Sequence, residues 1–208
     1  MKRKGLALFL CITGFACCLH AAASSDSVSS NCFNQGKTKY LLGDFQKAIT
    51  DFNACIALNP RNTQAWLMKA TAEYNLKMYA QAEKDCGRVL KLTPHDFQAL
   101  NIKACSEEKQ DKFKKSAKDF RKSLQENPRY TEAWLNKGLL ELRLKQYDSA
   151  IADFTILITI KPACENAFYQ RGKAKYEKHD FDGACADWKH IDDPDEYQDL
   201  EKLILICK

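Results

Sequence analysis

The sequence is poor in the residue patterns that catalysis needs. It has four histidines in 208 residues, and none stands in an H-E-x-x-H pair. It also has no glycine-rich phosphate loop and no G-x-S-x-G elbow. His179, Cys185 and His190 come nearest to a metal-ligand set. Cys185 and His190, however, are five apart on a predicted helix, which points them to different sides. No metal and no cofactor is expected, and the chain reads as non-enzymatic. An excess of one charge is missing as well. The formal charge is +5, but Lys2, Arg3 and Lys4 supply three of the 32 basic residues, leaving 29 against 27 acidic ones. A nucleic-acid partner, which calls for a strongly basic surface, has no support in that balance.

What is present begins with a basic start, MKRK, followed by the uncharged apolar run GLALFLCITGFACCL and small residues at 21–23. Residues 1–23 therefore read as a signal peptide cut near Ser24. That places the mature chain in an exported compartment: a periplasm, the secretory lumen or the exterior. A retained membrane anchor and a lipoprotein carrying lipid on Cys17 or Cys18 are the alternatives. Residues 24–30, SSDSVSS, form a polar linker.

Beyond the linker the chain is periodic. Prolines fall at 60, 94, 128 and 162, 34 residues apart. Six residues after each comes a large apolar side chain: Trp66, Leu100, Trp134 and Phe168. Small residues recur as Gly36, Ala70, Ala104, Gly138 and Gly172, and aromatics as Phe45, Tyr79, Phe113, Tyr147 and Phe181. A unit of this length holds two helices of about a dozen residues and a turn. Its small residues sit where backbones approach, and its proline ends the second helix. Asn62 or Thr63, Asp96 and Thr131 offer caps for the helix that follows. A lone unit cannot bury its apolar faces, so the units must stack.

On these residues the chain resembles the tetratricopeptide repeat family. The resemblance implies an all-α, right-handed α-solenoid of about five helix-turn-helix repeats: 29–62, 63–96, 97–130, 131–164 and 165–193. The third departs most, with Leu100 for the aromatic and Ser116 for the tight alanine. Residues 194–208 are expected to form a capping helix with a stripe of Tyr197, Leu200, Ile204 and Cys207.

The resemblance further implies a protein-binding scaffold whose concave groove, lined by the first helix of each pair, takes a peptide or protein partner. Helical periodicity places Phe33, Asn34 and Tyr40 on that groove, then Leu67, Met68, Thr71 and Tyr74. Asn101, Ile102 and Cys105 follow, then Leu135, Asn136 and Leu139, and last Tyr169 and Tyr176. A co-chaperone that holds unfolded polypeptides through the same groove is the alternative. The two-carboxylate clamp that some relatives use for acidic chain ends is absent, because among its matching places only Asn136 carries a fitting residue.

Seven of the ten cysteines lie beyond residue 23, an odd number that cannot pair completely within one molecule. Cys32 with Cys55 and Cys185 with Cys207 are the candidate bridges, set against small buried thiols. Residues 109–123, KQDKFKKSAKDFRKS, form a local basic run. It reads either as a solvated convex face or as a site for an anionic lipid or polymer surface.

Overall fold

A computed structural model describes residues 31–192 together with Tyr197 and Cys207. The expected signal peptide, the linker and most of the expected capping helix lie outside the described residues. The described chain is a succession of ten helices: α1 (31–41), α2 (Phe45–Leu58), α3 (Thr63–Asn75), α4 (Tyr79–Leu92), α5 (Phe97–Glu108), α6 (Phe113–Glu126), α7 (Thr131–Arg143), α8 (Tyr147–Ile160), α9 (Glu165–Glu177) and α10 (Phe181–Trp188). Each helix packs chiefly on its neighbours in sequence, and first helices also touch the next first helix, α3 on α5 and α5 on α7. The result is an all-α stack of helix pairs.

The periodic residues account for the joints. Helices α2, α4, α6 and α8 each run 14 residues and stop two before Pro60, Pro94, Pro128 and Pro162. The tryptophan six places on closes the joint: Trp66 Nε1 donates to the Pro60 carbonyl at 3.0 Å and Trp134 Nε1 to that of Pro128 at 2.8 Å. Within a pair the helices are so close that a Cβ on Gly138 would stand 2.6 Å from the Phe154 ring, and one on Gly36 2.7 Å from Phe52. The third repeat packs like the others, with Leu100 4% exposed and Ser116 wholly buried.

The turns between paired helices also repeat. Gly43, Lys77, Asp111, Lys145 and His179 all have positive φ, between 57° and 81°. The capping expectations fare unevenly. Asn62 and Asp96 accept from the Ala65 and Ala99 amides, at 3.0 and 2.9 Å. Thr131 is not a cap: it lies inside α7, the cap position is Tyr130, and no side chain bonds the helix end there.

Cys185 and Cys207 are joined, with sulfurs 2.00 Å apart. The expected Cys32–Cys55 bridge is not formed. Cys32 packs against the apolar cluster that contains Cys55, and Asn62 Nδ2 donates to the Cys55 sulfur at 3.4 Å.

Candidate functional site

The first helices of the pairs face a common cavity of about 430 Å³, lined by residues of α1, α3, α5 and α7 and of the joint before α7. No residue of α2, α4, α6 or α8 lines it. The positions follow from helical spacing. Leu67, Met68, Thr71, Tyr74 and Asn75 form one stripe of α3, while Gln98, Asn101, Ile102 and Cys105 form the matching stripe of α5. Tyr40 closes one end, and Tyr130, Glu132 and Asn136 the other.

Polar groups link successive repeats across the cavity. Asn75 Nδ2 donates to the Tyr40 hydroxyl at 3.1 Å, and Asn136 Nδ2 to Asn101 Oδ1 at 3.2 Å. Each pair spans 35 residues in sequence, one more than the period, so each bond joins a place on one helix to the neighbour of its equivalent on the next. Burial pushes the Tyr130 hydroxyl and the Cys105 thiol up to about 12 and raises Tyr74 further. These groups stay neutral at ordinary pH and serve as hydrogen-bond partners rather than charges. Among the described residues, Glu132 is the one charged residue in the lining. A cleft of this make-up can hold an apolar side chain beside Met68 and Ile102 and bond a peptide backbone through its amides and phenols.

Of the residues expected on the groove, Tyr40, Leu67, Met68, Thr71, Tyr74, Asn101, Ile102, Cys105 and Asn136 come together here. The others lie elsewhere. Phe33 packs on Phe52, with ring centroids 5.9 Å apart, and Asn34 is exposed at the start of the stack. Leu135 and Leu139 pack against the cluster of Ala150, Phe154 and Ala174. Tyr176 lies between Phe181 and Trp188. Tyr169 is 7% exposed and is covered by Tyr197 from the chain's own C-terminal segment, centroids 4.4 Å apart. In the fifth repeat the groove place is thus filled from within the molecule.

The sequence reading missed Asn75, Gln98, Tyr130 and Glu132. Gln98 and Glu132 stand one turn before Ile102 and Asn136, so extending each stripe backwards would have found them. Tyr130 lies in a joint, where periodicity carries no signal.

A second constellation was also missed. Lys69, Lys103 and Lys137, spaced by 34, each meet a glutamate four residues on and an aspartate sixteen on. Lys69 Nζ lies 3.5 Å from Glu73 and 2.8 Å from Asp85. Lys137 lies 2.7 Å from Glu141 and 2.5 Å from Asp153, and Lys103 pairs likewise with Glu107 and Asp119. The fifth repeat changes the pattern: Arg171 grips Asp187 with two nitrogens, and Lys175 replaces the glutamate. These groups are mostly buried between paired helices and hold the pairs together.

Comparisons with known proteins agree with this architecture. Family models of the tetratricopeptide repeat match residues 30–62, 63–96 and 103–163. No curated protein matches the chain. Among solved structures, pilF of Pseudomonas aeruginosa is 13% identical with a TM-score of 0.76, covering 88% of this chain and 86% of that one. A thermophilic repeat protein of Thermus thermophilus is 18% identical with a TM-score of 0.68, covering 85% and 99%. YrrB, described as having an unusual peptide-binding site, is 16% identical with a TM-score of 0.62, covering 85% and 89%. At these identities the likeness is one of fold. Repeated sequence, stacked helix pairs and matching family models lead to one conclusion: the chain belongs to the tetratricopeptide repeat family.

Proposed function

We propose that this protein is an interaction scaffold whose cavity between α1, α3, α5 and α7 holds an extended or helical segment of a protein partner. Proteins of this family act in general as scaffolds for protein–protein contacts. The observation that carries the finer reading is the cavity itself, with apolar anchoring places and bridging amides converging from four successive repeats. YrrB, with its peptide-binding site, is a precedent on the same fold. The segment has a neutral or basic surface and an apolar anchor, because among the described residues the lining offers one carboxylate, Glu132, and no cation.

The test is selection of displayed peptides on the full chain, followed by substitution. Met68→Asp and Asn136→Ala are expected to weaken the selected peptides about tenfold or more, while Lys161→Glu, outside the cavity, leaves them unchanged. Binding indifferent to both cavity substitutions would rule the groove out. Tight binding to unfolded chains of any sequence would instead favour a holding role.

Export belongs to the same proposal. Its support is the basic-then-apolar pattern of residues 1–23 together with the Cys185–Cys207 disulfide, a bond typical of oxidising compartments. Fractionation of cells expressing the full chain, with mass determination of the product, checks it. A product that keeps residues 1–23 in the cytosol would refute export.

A further inference from the structure

The face opposite the cavity carries a charge pattern that the groove does not use. Helices α4 and α6 bear eight cations: Lys84, Arg88 and Lys91 on the first, and Lys114, Lys115, Lys118, Arg121 and Lys122 on the second. All eight are exposed. The same two helices carry four carboxylates, and every one is engaged by a basic group outside this set. Glu83 meets Lys112 at 2.6 Å and Gln110 at 2.9 Å. Asp85 meets Lys69 at 2.8 Å, Asp119 meets Lys103, and Glu126 meets His95 Nδ1 at 2.8 Å. Arg88 reaches Asp85 only at 3.8 Å and lies over the Trp66 ring. The other seven cations make no ion pair among the described residues.

Two of these contacts also fix the patch in space. Lys112 with Glu83 ties the start of α6 to α4, and His95 with Glu126 ties the ends together. The two basic helices do not pack directly on one another, but these bridges link them at both ends. The charge is local to them. Helix α2 carries one cation, Lys47, paired with Asp44 at 3.0 Å, and α8 and α10 carry none.

We propose that this α4–α6 face binds an anionic lipid surface, laying the repeat stack on a membrane with its cavity directed away. The make-up of the patch selects this partner. Six of the eight cations are lysines, long flexible point charges suited to a fluid layer of headgroups. No aromatic residue is exposed among them, so the stacking platform that a single nucleic-acid strand uses is missing. A docked protein would require a desolvated apolar or aromatic centre, and Leu92, 39% exposed at one edge, is the only large apolar side chain exposed on either helix. Among the described residues no helix is long and apolar enough to cross a membrane, so contact through this region is peripheral.

The experiment is co-sedimentation of the full chain with phosphatidylcholine vesicles, alone or containing about a third phosphatidylglycerol, at about 0.1 M and 0.5 M salt. The wild-type chain is expected to bind the anionic vesicles about tenfold better than the neutral ones at low salt, with that gain lost at high salt. Insertion of the apolar N-terminal run appears on neutral vesicles and is subtracted, and the contribution of Lys2, Arg3 and Lys4 on anionic ones is common to every variant and cancels between them. Lys114→Glu, Lys118→Glu and Lys122→Glu combined should abolish the gain. The same charge change at Arg61, Lys161 and Lys189 should leave most of it, and equal helicity of both variants by circular dichroism excludes misfolding. Three results would overturn the proposal: equal binding to both vesicle types, equal losses from the two triple variants, or retention by DNA or polyglutamate without a lipid gain.

Discussion

Glu73, Glu107 and Glu141 stand at one place in three successive repeats, and in each the second carboxylate oxygen has no hydrogen-bond partner among the described residues. Burial first, then the neighbouring Asp85, raises Glu73 to about 7; Glu141 reaches about 7 as well, again chiefly through burial, although Lys137 opposes the shift. A raised carboxylate means that between its ordinary value and 7 the folded chain holds a proton that the unfolded chain has released. This stabilisation is complete below about pH 4.5 and is lost as pH rises through 7. Glu73→Gln removes the titration while keeping the shape. Its stability relative to wild type is therefore expected to improve by about 1–3 kcal/mol between pH 5 and pH 8, measured by urea unfolding at both. A pH-independent difference would show that Glu73 is charged in the fold throughout. None of this was visible residue by residue. A lysine, a glutamate and an aspartate each read as surface groups on their own, and only their joint spacing of four and sixteen, repeated every 34, gives them away.

At the scale of the helix, caps and joints share the labour unequally. Asn62 both caps α3 and donates to the Cys55 sulfur, so it fastens the end of one repeat to the start of the next. Asn62→Ala should cost about 1–2 kcal/mol in thermal unfolding, whereas Thr131→Ala, at a helix start with no side-chain cap, should cost only a few tenths. Equal effects would contradict this assignment. The helices themselves were legible in the sequence, because proline, small and aromatic residues recur at fixed places and each has one physical task. The groove was legible in its middle and not at its ends. Periodicity says which residues share a face but not what covers that face. Tyr176 and Leu139 lie on expected groove stripes, yet neighbouring helices and the rings of Phe154, Phe181 and Trp188 claim them for packing.

Across the whole molecule, contacts run almost entirely between neighbours along the stack, so opening from either end breaks one interface at a time. The last repeat carries a restraint that the described part of the first does not: Cys207 is bonded to Cys185 across 22 residues, and Tyr197 lies on Tyr169. Closing a loop of that size is worth about 3 kcal/mol in the entropic account. Cys207→Ser is thus expected to speed amide exchange in α9 and α10 by about two orders of magnitude while leaving α5 and α6 unchanged. Uniform acceleration along the chain would mean that the stack opens as one unit.

The cavity between α1, α3, α5 and α7 has no floor belonging to a single repeat; its width is the spacing of four successive units. Its aperture is therefore set by the pitch of the superhelix, as the opening of a pair of calipers is set by its hinge. A side chain at a buried joint, such as Trp66 on the Pro60 carbonyl, can widen or narrow the jaws without touching whatever lies between them. In the other direction, an occupant that fits acts as a brace, stiffening four repeats that would otherwise open one after another.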